Sequence, residues 1–366
     1  MTTLLLFVAG LAALVVGSEL LVRGASKLAL SFGISPLVVG LTVVAFGTSS
    51  PEMAVSVQGA LAGATDIAIG NVVGSNIFNV LFILGLCAAI VPLAVSDQII
   101  RQEVPIMIGA SLLLAAMTLD GGIARGEAGL LFGLLIAYTV FLIVQSRRAS
   151  AATPPAAPGE APSAPSWDDR TWVQAGLVAA GLLLLVLGSE WLVSAAVQFA
   201  RVLGLSEVVI GLTIVAAGTS TPEVAASLMA LRRGERDIAV GNVVGSSVFN
   251  ILGVLGAAGL VAPEALGVPA SVLRFDLPAM VMVAIACLPV FFSNCRIGRW
   301  EGVMFLGYYA AYVAWLVLDA SGHDALGDYR TVMLYVVLPL TAVTIGVLTL
   351  RGGRGAPGSA PGAPGR

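Results

Sequence analysis

Apolar runs of about twenty residues follow one another along this chain, separated by short polar loops. Eleven are recognisable, at roughly 3–22, 36–62, 67–91, 103–119, 127–146, 171–194, 207–231, 238–262, 275–292, 299–318 and 330–350. At about 1.5 Å of rise per residue, each predicts an α-helix able to cross a hydrocarbon layer about 30 Å thick. Strands of a membrane barrel would instead be about ten residues long and alternate apolar with polar, so the pattern predicts an all-α integral membrane protein. The stretch ASAATPPAAPGEAPSAPSWDD after the fifth run is rich in Ala, Pro and Ser and predicts a disordered linker. The glycine- and proline-rich end after Leu350 reads as a disordered tail. The first residues lack the basic stretch of a signal peptide and read as the start of the first span.

The runs repeat. Gly40–Gly85 and Gly211–Gly256 align at an offset of 171 without a gap, with 27 of 46 positions identical. Gly17-Ser18-Glu19 matches Gly188-Ser189-Glu190 at the same offset; Arg101, Glu103 and Pro105 match Arg274, Asp276 and Pro278 at 173. The organisation this predicts is a first five-helix half at 1–148, a cytoplasmic linker at 149–170, a second half at 171–320, an extra helix at 321–350 and a tail at 351–366. Five spans per half reverse the second copy in the membrane, giving an inverted five-plus-five repeat plus one C-terminal helix.

Charge placement orients this arrangement. With the linker in the cytoplasm, 14 of the 18 Lys and Arg residues fall on the cytoplasmic side, leaving Arg125, Arg201, Arg274 and Arg330 outside. That asymmetry predicts a multi-pass inner or plasma membrane protein with its N-terminus outside and its C-terminus cytoplasmic. Composition agrees with the membrane reading: 58% of residues are hydrophobic and 11% charged, against about 25% charged in soluble domains. No basic patch for nucleic acid and no phosphate-binding GxxxxGK[ST] segment is present, so neither nucleic acid nor ATP is an expected partner. Cys87, Cys287 and Cys295 lack metal-ligand spacing and read as packing residues. Asp66 and Asp237 read as helix caps, and Glu19 and Glu190 as structural or access-path residues.

The chemistry lies in the repeat. Pro51 and Pro222 predict a break in the second and seventh spans, next to Gly47 and Gly218. Carbonyls freed near Ala45 and Phe46 would need a partner in lipid, and a cation is one. Thr48, Ser49 and Glu52 share a helix face, as do Ser75 and Asn79 in the next span. The second copy supplies Ala216, Thr219, Ser220, Glu223, Ser246 and Asn250. Gly70 and Gly74 form a GxxxG step that predicts close helix approach. Two ionisable residues at matched intramembrane positions are costly unless used. Brought together by a two-fold axis in the membrane plane, the copies make an all-oxygen site suited to Ca²⁺ or Na⁺ rather than zinc or copper.

GTSSPE with GNVVGSNIFN, doubled as GTSTPE with GNVVGSSVFN, resembles the two alpha repeats of the cation/calcium exchanger superfamily, in its prokaryotic sodium/calcium antiporter branch. The resemblance implies alternating access and a secondary transporter rather than an enzyme. It implies Ca²⁺ export against Na⁺, with H⁺ as the alternative coupling ion; a passive cation channel is a separate alternative, disfavoured because channels usually form their pores by oligomer symmetry whereas this chain contains its own two-fold repeat. It implies transported ions and no cofactor. By motif position it implies ligation by Thr48, Ser49, Glu52, Ser75, Asn79, Thr219, Ser220, Glu223, Ser246 and Asn250, and by the Ala45 and Ala216 carbonyls. Many members carry Asp at one of the two positions that are Asn79 and Asn250 here. This chain therefore has two acids where those members have three.

Overall fold

In the computed structural model, residues 2–152, 168, 170–202, 216–292, 295–323, 325–333, 335 and 346 are described. Among them, eight helices are long and apolar enough to cross a membrane, and a ninth span is a bent pair. The first half holds α1 (Thr2–Phe32), the bent pair α2 (Pro36–Thr48) and α3 (Ser50–Leu61), α4 (Thr65–Ile90), α5 (Ile99–Asp120) and α6 (Arg125–Ala152). The second holds α7 (Thr171–Val202), α8 (Ala216–Gly218), α9 (Thr221–Arg232), α10 (Arg236–Val261), α11 (Val272–Phe292) and α12 (Arg299–Ala320). The beginning of the seventh predicted run, most of the eleventh and the tail lie outside the described residues.

α1 and α7 are longer than their apolar runs, because charged ends continue them beyond the hydrophobic stretch. α6 likewise continues to Ala152, inside the predicted linker. Most of that linker lies outside the described residues, but Asp168 near its far end is buried. Arg23 Nε donates to Asp168 Oδ2 at 2.6 Å, and Lys27 pairs with its other oxygen. Arg233 Nε donates to Glu19 Oε2 at 3.0 Å, giving Glu19 a structural partner. Asp66 and Asp237 sit in the first turns of α4 and α10, where negative charge meets the helix dipole, but they make no side-chain cap bond.

Two short ladders display the inversion. Leu93–Ala94 (β1) pairs antiparallel with Arg296–Ile297 (β4), and Gly122–Ile123 (β2) pairs with Leu266–Gly267 (β3). Each ladder joins one strand from each half, and the first-half strand ends the span before it on opposite sides in the two ladders. Exchanging the halves converts one ladder into the other, as an inverted repeat requires. Gly63 and Gly234, equivalent at 171, both take a left-handed φ, +78° and +80°, at the turns into α4 and α10.

Glycines set the closest approaches. α1 and α7 run antiparallel in backbone contact: a Cβ at Gly10 would meet Gly188 O at 2.8 Å, and one at Gly17 would meet Gly181 O at 2.9 Å. Gly241 and Gly245 of α10 press against the backbone at Leu37 and Leu41 in the same way. Around Gly70 and Gly74, the first-repeat equivalents, no described atom comes within 4 Å of a Cβ. Residues 203–215, which include the sequence equivalents of Leu37 and Leu41, are outside the described residues. α10 is buried along its whole apolar window and α4 along most of it, whereas few α12 residues are fully buried and most are only partly covered. The helices that carry the repeated asparagines are thus the centre of the bundle.

Candidate cation-binding site

Each repeat builds its half of the site from a broken helix and a widened one. Pro51 and Pro222 start α3 and α9 at their first turns, and the residue before each helix, Ser49 or Ser220, has ψ near 10°. α2 and α3 meet at 47°. A proline leaves the carbonyl four residues earlier without its helical donor, and that carbonyl is Gly47 O or Gly218 O. Gly218 O is taken by the Ser189 hydroxyl at 2.6 Å. The sequence reading located the freed carbonyls near Ala45 and Phe46. Ala45 O instead keeps a helical bond from Ser49 N at 3.0 Å and lies 3.4 Å from the Thr48 hydroxyl. The Ala216 main chain begins the described part of the second break.

In the next span, the backbone widens to i→i+5 hydrogen bonding over Phe78–Leu84 and Asn250–Val254. Such turns are rare and often mark functional positions. They carry Asn79 and Asn250, both buried.

The halves interlock through cross-repeat hydrogen bonds that come in matched pairs. Ser220 Oγ donates to Glu52 Oε1 at 2.7 Å, and Ser49 Oγ to Glu223 Oε1 at 3.1 Å. Thr48 Oγ1 donates to Asn242 Oδ1 at 3.1 Å, and Thr219 Oγ1 to Asn71 Oδ1 at 3.4 Å. The Ser75 hydroxyl lies 3.5 Å from Glu52 Oε1 and 3.2 Å from the Ser220 hydroxyl. These bonds bring together seven of the expected site residues, Thr48, Ser49, Glu52, Ser75, Thr219, Ser220 and Glu223, while Asn79, Ser246 and Asn250 are buried without a hydrogen bond to them. Thr219 alone among them is partly exposed.

The distribution of unmet hydrogen bonds singles out the same residues. Among the described residues, the buried side-chain atoms without a partner are Glu52 Oε2, Glu223 Oε2, both amide atoms of Asn79, Asn250 Oδ1, Ser246 Oγ and, away from the site, Ser26 Oγ. Buried polar atoms are rarely left unpaired, because each costs about 1–3 kcal/mol. Here they are concentrated on two carboxylates, two amides and a serine. Among the described residues, no group of three His, Cys, Asp or Glu side chains forms a metal cluster. A cation at this place would be held by hydroxyl, amide and carboxylate oxygens together, the donor set of a hard ion.

Two residues that the sequence reading left unassigned organise the site. Asn71 Nδ2 donates to Glu52 O at 3.2 Å and Ser56 Oγ at 3.0 Å; Asn242 Nδ2 donates to Glu223 O at 3.3 Å and Ser227 Oγ at 3.0 Å. Each asparagine thus ties the backbone of the buried glutamate in its own half while accepting from a threonine of the other. Their identity at an offset of 171 was the available signal.

The sequence pattern of the family described as "Sodium/calcium exchanger protein" matches residues 2–144 and 173–318. The putative antiporter CaxA of Alkalimonas amylolytica is 36% identical over 67% of this chain and 76% of its own. The inner membrane protein YrbG of Escherichia coli is 33% identical over 68% of this chain and 76% of its own. Solved structures of the sodium–calcium exchanger NCX_Mj superpose with a TM-score of 0.72 at 29% identity, covering 86% of this chain and 98% of that one.

Proposed function

Because the chain belongs to the sodium/calcium exchanger protein family, a family of secondary transporters and not of enzymes, we propose that it exports Ca²⁺ across the cell membrane in exchange for Na⁺. The observation that carries this reading is the set of unpaired buried oxygens on Glu52, Glu223, Asn250 and Ser246. Glu52 and Glu223 would supply the two negative charges that balance one Ca²⁺ or offset two or more Na⁺. Hydroxyl and amide oxygens of Thr48, Ser49, Ser75, Asn79, Thr219, Ser220, Ser246 and Asn250, with the Ala45 and Ala216 carbonyls, would complete the shell. Ca²⁺ and Na⁺ are substrates in this reading, and it requires neither cofactor nor ATP.

Alternating access would come from the inverted halves, each offering the same break and the same glutamate to one side of the membrane in turn. The two halves, 1–148 and 171–320, would be the moving units, joined by the linker at 149–170. The N-terminus would lie outside and the C-terminus in the cytoplasm. Arg23, Lys27, Arg233 and Asp168 gather at the end of the bundle that this orientation puts inside.

One observation favours a second form of the same antiport. With Asn at both 79 and 250, the site has only two carboxylates, and protons rather than Na⁺ would then be the counter-ions. The deciding experiment is ⁴⁵Ca²⁺ uptake into proteoliposomes under imposed Na⁺, K⁺ or H⁺ gradients. Uptake driven by outward Na⁺ alone is the expected result. Uptake driven only by a proton gradient would replace Na⁺ by H⁺, and flux without any counter-gradient dependence would overturn antiport.

A further inference from the structure

The two asparagines of the site are held differently. Asn250 Nδ2 donates to Asn76 Oδ1 at 3.2 Å, while Asn250 Oδ1 is buried without a partner. Asn76 Nδ2 donates in turn to the backbone carbonyl of Ser247 at 3.1 Å and lies 3.7 Å from Met280 Sδ. The direction of this relay follows from its far end. A backbone carbonyl only accepts, so the end of Asn76 that meets Ser247 O is its NH₂. Its oxygen therefore faces Asn250, and Asn250 must turn its own NH₂ toward that oxygen. What remains free on Asn250 is an oxygen.

The other repeat has no such relay. The position equivalent to Asn76 is Ser247, whose hydroxyl donates to Val243 O at 2.9 Å in its own helix. Asn79, equivalent to Asn250, has neither amide atom bonded among the described residues. This is one of the few places in the aligned motif where the two copies differ in polar side chain, and it lies directly behind the site.

We propose that Asn76 is a positioning residue that turns the Asn250 oxygen toward the transported cation and selects an amide over a carboxylate at position 250. A carboxylate there would set an oxygen against Asn76 Oδ1, two acceptors with no proton between them. Turning Asn76 over to relieve this would put its oxygen against Ser247 O instead. Asn79 has no such amide relay behind it among the described residues, so an added acid fits at 79 rather than at 250.

This inference rests on the reading of the site as the cation site, and the two fail separately. The measurement is ⁴⁵Ca²⁺ binding to the purified full-length protein. Asn76→Ser installs the residue that the second repeat already carries at this place. It is expected to weaken Ca²⁺ binding about 3- to 10-fold, the worth of one hydrogen bond. Asn250→Ala should weaken binding at least as much, and the double variant no further, because Asn76 acts only through Asn250. Asn250→Asp should bind Ca²⁺ more tightly in the Asn76→Ser background than in the native one. Independent, multiplying losses, or equal affinity of Asn250→Asp in both backgrounds, would overturn the proposal. If Asn76→Ser does not fold, Asn79→Asp and Asn250→Asp are compared directly. Tighter Ca²⁺ binding by Asn79→Asp supports the proposal, and equal or reversed affinities overturn it. Ca²⁺ binding retained by Glu52→Gln would instead remove the site itself.

Discussion

The Ser220 hydroxyl donates a 2.7 Å hydrogen bond to Glu52, a residue 168 positions away in the opposite repeat. Its mirror, Ser49 on Glu223, is slightly longer at 3.1 Å. Each glutamate is thus held by the break of the other half, and a change in one half is felt at the carboxylate of its partner. Each keeps its second oxygen unbonded, which leaves it available to a cation.

Removing either charge should therefore end Ca²⁺ movement. Hydroxyls and amides alone cannot balance a divalent ion in a site closed to water. Glu52→Gln and Glu223→Gln keep shape and hydrogen bonding and are expected to insert normally. Their Ca²⁺ transport in proteoliposomes should fall to the protein-free background. Near-normal exchange by either variant would remove both glutamates from the proposed shell.

Asn242 and Asn71 should matter for affinity more than for folding. Asn242 ties the Glu223 carbonyl and Ser227 and accepts from Thr48, so its loss loosens ligands of both halves at once. Asn242→Ala leaves several buried groups short of a partner and should weaken Ca²⁺ binding at least 10-fold, on the basis of about 1 kcal/mol for each lost bond. Asn71→Ala should behave alike, with a smaller effect because its bond from Thr219 is longer, 3.4 Å. Titration of both variants with Ca²⁺ checks the order, and unchanged affinity in Asn242→Ala would make it a packing residue only.

Much of this site was legible in the chain because its two copies are gap-free and nearly the same. The prolines, the glutamates and the later asparagines stand at fixed offsets in apolar runs, where each polar residue is conspicuous. Asn71 and Asn242 stood in the same motif, but their use depends on which helix of the other half lies opposite, and an offset carries no such information. Of the two carbonyls expected to be freed, Ala45 O keeps its helical donor, whereas Phe46 O is met by the Ser50 hydroxyl at 3.3 Å; the missing proline N–H adds Gly47 O and Gly218 O, because the bend lies at Ser49 and Ser220, just before each proline. Span ends were underestimated in α1 and α7, where Arg23, Lys27 and Arg201 continue the helix and end the hydrophobic run without ending the hydrogen bonding.

Opposite exposure of equivalent residues is a direct consequence of the inverted ladders. Leu61 and Arg232 are both exposed and equivalent at 171, two residues before Gly63 and Gly234. Cysteines are better placed there than at those glycines, whose left-handed φ strains any side chain. In a background lacking the exposed Cys295, Leu61→Cys should react with an impermeant maleimide from outside and Arg232→Cys only after permeabilisation. Reaction of both from one side would contradict the proposed orientation and the inverted arrangement together.

A second pair of duplicated acids lies away from the cation site. Glu103 is buried and accepts from Tyr138 at 2.7 Å, Gln102 at 2.7 Å and Gln98 at 3.0 Å. Asp276, its equivalent, accepts from Tyr312 at 2.9 Å. Gln102 and Gln145 also bond each other reciprocally, at 3.0 and 2.8 Å. The tyrosine bonds and the Gln102–Gln145 pair join the fourth span of a half to its fifth, and none of these bonds reaches a residue of the proposed shell. The expected role is to hold the outer helices to the bundle. Tyr138→Phe leaves one buried carboxylate oxygen without its donor and should destabilise the protein by about 1–3 kcal/mol. Tyr312→Phe should cost less, since Asp276 is less deeply enclosed. Thermal unfolding in detergent should show the loss in that order, while the Ca²⁺ dissociation constant of both variants stays within a factor of two of the parent. A large change in Ca²⁺ affinity with little change in melting temperature would show that Glu103 and Asp276 communicate with the ion site.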